Sequence, residues 1–258
     1  MHRLRKERAF HGTVALKAKH LSALSPGTVR QFLFLQGCPF RCLYCHNPET
    51  WNFTNENSIT PEEAIKKLSR YAPYWKDNGG ITVSGGEPLS QLDFVLEFAK
   101  LAKEKGYTFV IDTAGGPFSK DPTWLNKFDE LLKYTDLILM DIKGIDEETH
   151  VKMVGKSSTN SMEMFDYLNK KNFPIWIRYV LVPGYTDKEE LLIKTRDFTR
   201  TLNNVQRFEV LPYHPYALAK YTKFGIEYQL RDVMSPSHES VEHAEEILEV
   251  NKYQGYKK

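Results

Sequence analysis

The three cysteines of the chain lie within eight residues of one another, as Cys38, Cys42 and Cys45. Their spacing is Cys-x3-Cys-x2-Cys. Thiolates are preferred ligands of iron–sulfur clusters, which usually take four of them. Three thiolates would leave one iron atom without a protein ligand, and an open coordination position is typical of a catalytic rather than a structural metal centre. The cysteines therefore indicate a catalytic iron–sulfur cluster.

Other interpretations of this cysteine loop have to be weighed. Cys42 to His46 matches the Cys-x-x-Cys-His pattern for covalent haem attachment, but this leaves Cys38 unexplained and the chain shows no export signal. The thiolates and His46 could hold zinc in a non-catalytic binding module, although the neighbouring Cys45 and His46 would then have to point at one ion. The cysteines could also be ordinary buried residues. An odd, clustered set argues against a disulfide framework.

Polar residues within apolar segments form a second group of candidates. Asp141 and Lys143 lie two residues apart, so on a strand they face the same side; a salt-bridged strand end is the ordinary interpretation. Arg178 lies in the apolar segment 176–180, and a buried arginine needs an anionic partner. The pair Gly85-Gly86 would let the backbone approach a ligand closely, although such a pair alone usually marks only a turn.

These candidates are positioned by strands that alternate with helices. Strand patterns span residues 29–36, 80–84, 107–112, 136–142, 174–182 and 206–211. Two helices are predicted to begin at caps: Thr60 forms a capping box with Glu63, and Ser90 caps a helix that ends at Gly106. Further helix patterns span 124–134, 161–172, 187–202 and 238–251. Alternation of this kind predicts a parallel sheet with right-handed crossovers. We expect an α/β fold, an open (β/α)6 partial TIM barrel with parallel strands; the alternative is a flat doubly wound sheet.

The fold predicts where the candidate residues meet. Parallel α/β sheets bind ligands beyond the carboxyl ends of their strands. The first strand ends at the cysteine loop, and the later strands carry, in order, Gly85-Gly86-Glu87, Asp112-Thr113, Asp141 with Lys143, Arg178, and Tyr213-His214. We therefore expect a single site at this rim of the sheet.

Composition narrows the classes of function. The chain has 258 residues, of which 41% are hydrophobic, enough for a packed core in one domain. A formal charge of +2 gives no general argument for nucleic acid or membrane binding, and no apolar run reaches the roughly 20 residues that span a bilayer. We expect one domain over residues 1–258 in the cytoplasm, with a solvated basic arm at 1–11, a barrel core at 27–215 and a closing helix at 238–251.

The cysteine loop, with the aromatic Tyr44 directly before its last cysteine, resembles the cluster motif of the radical S-adenosylmethionine superfamily. The glycine pair, with Glu87 supporting its turn, resembles the second motif of that superfamily. Two longer runs, at 36–51 (QGCPFRCLYCHNPETW) and 177–184 (IRYVLVPG), are similar to the activating enzymes of glycyl-radical enzymes, and to those of pyruvate formate-lyase most closely. The resemblance covers roughly residues 27–215.

The resemblance implies two cofactors and the residues that bind them. Three cysteines, Cys38, Cys42 and Cys45, would hold a 4Fe-4S cluster whose open iron is chelated by the amino and carboxylate groups of S-adenosylmethionine. The residues implied in cofactor binding are Tyr44, Cys45, His46, Gly85, Gly86, Glu87, Asp141, Ile142, Lys143, Arg178 and His214. The carboxylate of the cofactor is one candidate for the anionic partner that a buried Arg178 needs. In the family a monovalent cation is held at positions that match Asp112, Thr113 and Asp141.

The resemblance also implies a reaction and its partners. One electron from the reduced cluster would cleave the cofactor to methionine and a 5′-deoxyadenosyl radical. That radical would take a hydrogen atom from a glycine of pyruvate formate-lyase, or of a related glycyl-radical enzyme, without an acid or base side chain. A flavodoxin or ferredoxin-type protein would donate the electron, and the enzyme would act as a monomer. The alternative is a radical enzyme that acts on another glycyl-radical enzyme or on a small molecule.

Two positions depart from the family pattern. Family members usually carry an Asp-Gly-Pro-Gly run before the first strand, whereas this chain has Leu24 at the aspartate position and keeps only Pro26-Gly27. The asparagine that follows Asp-Thr in the family is Ala114. Both changes bear on engagement of the substrate protein more than on cleavage of the cofactor. Since the chain has no further cysteine, it cannot hold additional clusters through thiolates.

Overall fold

The computed structural model describes residues 12–13, 20–21, 30–54, 57–75 and 79–255. The predicted basic arm at 1–11, the segment 24–27 and the predicted start of the barrel core lie outside these residues. The domain boundaries predicted from the sequence stay predictions.

The described strands form one large sheet and a small separate one. The strands are β1 (Gly12–Thr13), β2 (His20–Leu21), β3 (Arg30–Leu35), β4 (Ser58–Ile59), β5 (Gly80–Gly85), β6 (Thr108–Thr113), β7 (Leu137–Ile142), β8 (Ile175–Leu181) and β9 (Val205–Pro212). The large sheet has the order β2-β3-β5-β6-β7-β8-β9. Its last six strands are parallel, and β2 is antiparallel at one edge. This sheet is open, as the sequence predicted for a partial TIM barrel. Strands β1 and β4 pair with each other, antiparallel, in the second sheet.

Helices connect the parallel strands and continue beyond the last one. They are α1 (Pro61–Leu68), α2 (Leu92–Glu104), α3 (Pro122–Leu132), α4 (Glu147–Val154), α5 (Thr159–Lys170), α6 (Glu189–Arg200), α7 (Leu218–Phe224) and α8 (His238–Ile247). The capping box predicted for α1 is confirmed. The amide N–H of Glu63 donates to the Thr60 hydroxyl at 3.2 Å, and the amide N–H of Thr60 donates to the Glu63 carboxylate at 3.0 Å.

Three local predictions were wrong or incomplete. Ser90 does not cap α2, because Pro88 starts a 3-10 turn over Pro88–Gln91 that is capped by the Glu87 carboxylate, and α2 begins only at Leu92. Helices α4 and α7 were not predicted. They have only eight and seven residues, too few for a clear period of 3.6, and they lack the capping box that marks the equally short α1. The closing helix α8 ends at Ile247 rather than at residue 251.

The strands bury two different faces. On β7, Ile138, Met140 and Ile142 pack into the main core beneath the helices, whereas Leu137 and Leu139 belong to an inner apolar cluster. Such alternation is the period of two that a strand imposes on its side chains. The inner cluster also contains Phe32, Val110 and Trp176, which fill the barrel interior. The next inward positions toward the carboxyl ends are therefore Asp112, Asp141 and Arg178.

A further apolar cluster, called here the cap cluster, covers the carboxyl end of the barrel. It contains Phe40 and Tyr44 of the cysteine loop, Met153 and Val154 of α4, Tyr221 of α7, and Tyr213, Tyr228 and Leu230. The two unpredicted helices thus pack directly against the cysteine loop. No helix of the described ranges is long and apolar enough to cross a membrane.

The capping box gives a first prediction about stability. Replacing Thr60→Ala removes the hydroxyl that accepts the Glu63 N–H, so the free energy of unfolding should fall by about 1 kcal/mol in urea denaturation. Thr60→Ser, which keeps a hydroxyl, serves as the control and should cost less than about half as much. Equal losses for the two variants would show that the cap contributes nothing.

Candidate functional site

Backbone hydrogen bonds close the cysteine loop at its base. The amide N–H of Gly37 donates to the carbonyl oxygen of Thr50 at 2.7 Å, and that of Cys38 donates to the carbonyl oxygen of Trp51 at 3.2 Å. Gly37 has a φ of +96°, and a Cβ there would lie 2.4 Å from the Phe53 ring. Glycine suits this position because of its positive φ, whereas the exposed Phe53 ring could move away from a Cβ.

The glycine pair at the end of β5 packs against the base of this loop. The amide N–H of Gly86 donates to the Leu35 carbonyl oxygen at 2.8 Å, and that of Glu87 donates to the Gly37 carbonyl oxygen at 2.8 Å. A Cβ on Gly86 would stand 2.2 Å from that same Gly37 oxygen. The close backbone approach expected from the glycine pair therefore exists, and its nearest partner is the cysteine loop itself.

Helix α4 holds the middle of the loop. The amide N–H of Arg41 donates to the Val154 carbonyl oxygen at 2.9 Å, and that of Leu43 donates to the Met153 carbonyl oxygen at 2.9 Å. The last carbonyls of a helix have no partner within it, so they are available to bind such a loop. The unpredicted α4 therefore fixes the backbone between the first and last cysteine.

Burial controls the protonation of the three thiols. It raises the pKa of Cys38 and that of Cys42 to about 12, and it also raises the pKa of Cys45. Hydrogen bonds to the Cys45 sulfur from the amide N–H of Asn47 and from the Trp51 side chain oppose this effect of burial, but the pKa of Cys45 is still raised. Bound iron would supply the positive charge that converts such thiols to thiolates.

A cavity of about 500 Å³ opens beside the cysteines at the carboxyl ends of the strands. It is lined by all predicted site residues except Ile142, namely Cys38, Cys42, Tyr44, Cys45, His46, Gly85, Gly86, Glu87, Asp112, Thr113, Asp141, Lys143, Arg178 and His214. The side chain of Ile142 is buried in the main core, and its predicted role in cofactor binding stays a prediction. The expectation that the other residues meet at one rim is met.

Charged residues form a connected row in the wall of the cavity. The Arg178 guanidinium donates to Asp112 and, at 3.0 Å, to Asp141. The other Asp141 oxygen lies 2.8 Å from the Lys143 ammonium, and Ser84 donates to Asp112 at 2.7 Å. Burial alone would raise the pKa of Asp141, but Arg178 and Lys143 hold it below its usual value. Buried charges paired in this way are held rigidly.

This row bears on two predicted roles. Arg178 has its expected anionic partners, but they are Asp112 and Asp141 of the protein itself. The same two carboxylates were predicted to hold a monovalent cation together with Thr113, whose hydroxyl donates to Glu87 at 2.6 Å. The cation site and the contact of Arg178 with a cofactor carboxylate stay predictions.

Glu87 ties three segments of the site together. Its carboxylate accepts hydrogen bonds from the Thr113 hydroxyl, from the amide N–H of Ala114 at 2.9 Å and from that of Leu89 at 3.1 Å. Its own backbone N–H is bound to the cysteine loop through Gly37. Burial raises the pKa of this carboxyl to about 7. Glu87 thus links the ends of β5 and β6 to the loop, which fits the support of the turn expected from the sequence.

Two histidines stack at another wall of the cavity. The rings of His46 and His214 are 4.2 Å apart and 9° from parallel, and Nε2 of His46 lies 3.3 Å from the His214 carbonyl oxygen. Burial lowers the pKa of His46. The buried Nδ1 of His214 has no hydrogen-bond partner within the described part of the chain.

Several residues of the site were not predicted from the sequence. Ser84 and Val180 also line the cavity, and period-two alternation along their strands could have indicated them. Trp51 lines it too and lies in the run that carries the family resemblance. Lys220 of α7 donates to the segment after Cys45, and no local pattern in the sequence indicates this contact.

The arrangement fits an iron–sulfur cluster better than a single zinc ion. Within the ranges that the structure describes, no three His, Cys, Asp or Glu side chains are grouped so as to hold one metal ion. Sulfur ligands of one tetrahedral zinc would lie roughly 4 Å apart, given Zn–S bonds of about 2.3 Å. The thiolates of a 4Fe-4S cluster bind different iron atoms, so they can stand farther apart around one cavity. Cys38 also lines this cavity. The haem-attachment pattern uses only Cys42, Cys45 and His46, so it does not explain why Cys38 lies there.

The raised pKa of Glu87 predicts how stability depends on pH. The unfolded chain ionises this carboxyl near its ordinary pKa of 4.5, and the folded chain only near 7. The stability that the folded chain gains by holding this proton more tightly is therefore fully present below pH 4.5 and is lost as the pH rises through 7. The unfolding free energy of the wild type, minus that of Glu87→Gln, should decrease by roughly 3 kcal/mol over this range. Urea denaturation between pH 4.5 and 7.5 measures this difference, and a difference independent of pH would contradict the assignment.

Comparison with known proteins places this geometry in a family. The protein-family model that describes the radical SAM superfamily matches residues 32–195 of this chain. The pyruvate formate-lyase-activating enzyme of Streptococcus mutans is 43% identical over 235 residues, covering 90% of this chain and 89% of its own length. That of Listeria monocytogenes is 43% identical, covering 88% and 92%, and that of Staphylococcus epidermidis is 44% identical, covering 92% and 97%.

Solved structures support the fold. A domain of a pyruvate formate-lyase-activating enzyme from Bacteroides vulgatus superposes with a TM-score of 0.55 at 23% identity, covering 68% of this chain and 94% of that one. SuiB of Streptococcus suis, bound to its precursor peptide, gives 0.61 at 18% identity, covering 83% and 44%. Because most of the chain matches curated relatives at more than 40% identity, it belongs to the radical SAM superfamily and, within it, to the family of pyruvate formate-lyase-activating enzymes.

Proposed function

We propose that this chain activates pyruvate formate-lyase by generating a glycyl radical on it. The observation that carries the proposal is the cysteine loop. Its three thiols, spaced Cys-x3-Cys-x2-Cys, all line one cavity at the carboxyl ends of parallel strands. Relatives that are 43–44% identical over most of the chain bear the name of this activity. Members of the superfamily use a 4Fe-4S cluster and S-adenosylmethionine.

The chain would hold the cluster at three corners through Cys38, Cys42 and Cys45. It has no other cysteine, so a fourth thiolate cannot close the remaining corner. When bound, the cluster and S-adenosylmethionine together supply reductive cleavage of a carbon–sulfur bond and abstraction of a hydrogen atom. The protein contributes binding, orientation and exclusion of water.

Charged residues of the cavity would orient S-adenosylmethionine. Its carboxylate would meet the ammonium of Lys143, which lies 5.3 Å from the centre of the Tyr44 ring and faces the cavity. Asp141 would contact the nucleoside portion, and the stacked pair of His46 and His214 would flank the adenine. Because Arg178 and Lys143 already hold Asp141 in place, it would not have to reorganise when the cofactor binds.

Apolar side chains would keep water from the reacting atoms. Phe40, Tyr44, Val180 and Leu211 line the cavity between its charged residues. A glycine of the partner protein has no Cβ, so its backbone could enter this narrow space. Because a hydrogen atom rather than a proton is transferred, no side chain has to act as an acid or base.

A second candidate is activation of a different glycyl-radical enzyme or reaction with a small molecule. Ala114 favours it, because the family's asparagine is replaced there by a methyl side chain that lines the cavity. The backbone of Ala114 is fixed on both sides, since its N–H donates to Glu87 and its carbonyl oxygen accepts from Ser161 at 2.6 Å. The replacement therefore changes the cavity wall without changing the path of the chain.

We further infer that a flavodoxin or ferredoxin-type protein donates the electron, and that the enzyme works as a cytoplasmic monomer without nucleic acid or membrane partners. The family resemblance supports the electron donor, and a formal charge of only +2 gives no argument for nucleic acid or membrane binding. A monovalent cation held by Asp112, Thr113 and Asp141 belongs to the same proposal.

The cysteines give a direct prediction. After anaerobic reconstitution with iron and sulfide, Cys38→Ser, Cys42→Ser and Cys45→Ser should each lack stable iron–sulfur absorbance and release no 5′-deoxyadenosine above the background without enzyme. Each change removes one of only three thiolates available to the cluster. Ser157→Ala, an exposed change outside the loop, should reconstitute like the wild type. Cofactor cleavage by a variant that lacks all three cysteines would refute the proposal.

The identity of the partner can be tested separately. The reduced enzyme with S-adenosylmethionine should produce a glycyl radical signal in paramagnetic resonance when pyruvate formate-lyase is added. A partner whose radical-bearing glycine is replaced by alanine should give none. Release of 5′-deoxyadenosine without any glycyl signal would support the second candidate instead.

A further inference from the structure

Residues 46–50, which follow Cys45, form few hydrogen bonds with the helices and strands of the fold. Within this segment, the Thr50 amide and hydroxyl both donate to the Asn47 carbonyl oxygen, at 2.9 and 2.8 Å, and these bonds are local. Gln36 donates to the Glu49 carbonyl oxygen at 2.8 Å, but Gln36 belongs to the same loop. The last cluster ligand therefore depends on contacts from elsewhere in the fold.

Lys220 of α7 supplies such contacts. Its ammonium donates to the carbonyl oxygen of His46, to Oδ1 of Asn47 at 3.0 Å and to Oε1 of Glu49 at 2.8 Å. A lysine ammonium has three N–H donors, so this one segment uses all of them. The Lys220 side chain is 30% exposed and that of Glu49 19%, so the ion pair is partly shielded from water.

Aromatic packing places α7 against the loop. The ring of Tyr221, next to Lys220, meets the Trp51 ring edge-on at 5.7 Å and lies 4.6 Å from the Tyr228 ring. Tyr228 in turn donates its hydroxyl to that of Tyr213 at 3.1 Å. The superfamily model ends at residue 195, so this support comes from a part of the chain that it does not cover.

We propose that Lys220 is a positioning residue that holds residues 46–49 so that Cys45 presents its sulfur to the cluster. The inference rests on the proposed function, since it concerns the same cluster. Its geometric basis is that three charge-assisted hydrogen bonds converge directly after a ligand. Because these bonds use every donor of the ammonium, the role is to fix the loop rather than to bind a ligand.

The test compares iron loss from reconstituted protein under anaerobic conditions, without partner and without S-adenosylmethionine. Lys220→Met keeps an unbranched apolar stem and removes the ammonium; it should lose iron to a chelator about tenfold faster than the wild type. Lys220→Arg, which restores charged donors, should recover most of the difference. Lys223→Met, on the same helix, is the matched control, because Lys223 is exposed and makes a cation–π contact with Phe224.

A spectroscopic signature separates positioning from general destabilisation. The paramagnetic resonance spectrum of the reduced cluster should broaden in Lys220→Met and not in Lys223→Met, because only the first change releases a cluster ligand from its fixed position. Iron loss from Lys220→Met at the rate of Lys223→Met would overturn the proposal.

A second variant covers the case that Lys220→Met does not fold. Glu49→Gln leaves the ammonium in place and weakens one of its three bonds, so iron loss should accelerate about two- to threefold. A rate equal to that of the wild type would overturn the proposal. If the wild type held its cluster but produced no glycyl radical on pyruvate formate-lyase, the choice of partner would fail while this comparison would still stand.

Discussion

Three sulfur atoms have to be held at fixed positions by a loop with almost no regular secondary structure, and the rest of the site depends on this constraint. Residues 36–51 contain a single three-residue 3-10 turn. A chain of this kind cannot order itself, because each fixed residue costs conformational entropy that only contacts can offset. The contacts come from the end of α4, from the glycine pair after β5 and from Lys220 on α7. Contacts with the barrel and its helices therefore hold the cysteine loop, and with it the three cysteine ligands, in one conformation.

A second constraint is the placement of charge inside the barrel. The lower interior is apolar, and the layer above it carries Asp112, Asp141 and Arg178, with Lys143 at the rim. Isolated buried charges would destabilise the fold, whereas these neutralise one another through direct hydrogen bonds. The arrangement presents fixed charges of both signs to the cavity. S-adenosylmethionine also carries both signs, in its carboxylate, its amino group and its sulfonium, so a wall of this kind suits it.

Much of the fold follows from the sequence, for identifiable reasons. Strands buried on both faces give continuous apolar runs, and polar residues at their carboxyl ends mark the rim, which is why the six parallel strands could be predicted. Short helices lack enough turns to show their period, and α4 and α7 also lack the capping box that marks α1, so neither could be predicted. Contacts between distant residues, such as that of Lys220 with Glu49, leave no local pattern. The side chain of Ile142 shows the opposite limit, because a position within a family motif can point into the core.

If three protein thiolates hold a 4Fe-4S cluster, one iron is left open to S-adenosylmethionine. Mössbauer spectroscopy of the protein reconstituted with 57Fe, with and without S-adenosylmethionine, detects such an iron. One iron of the cluster should be distinct, and its isomer shift should change when the nucleotide is added, while the other irons stay the same. Four equivalent irons that do not respond to the nucleotide would contradict it.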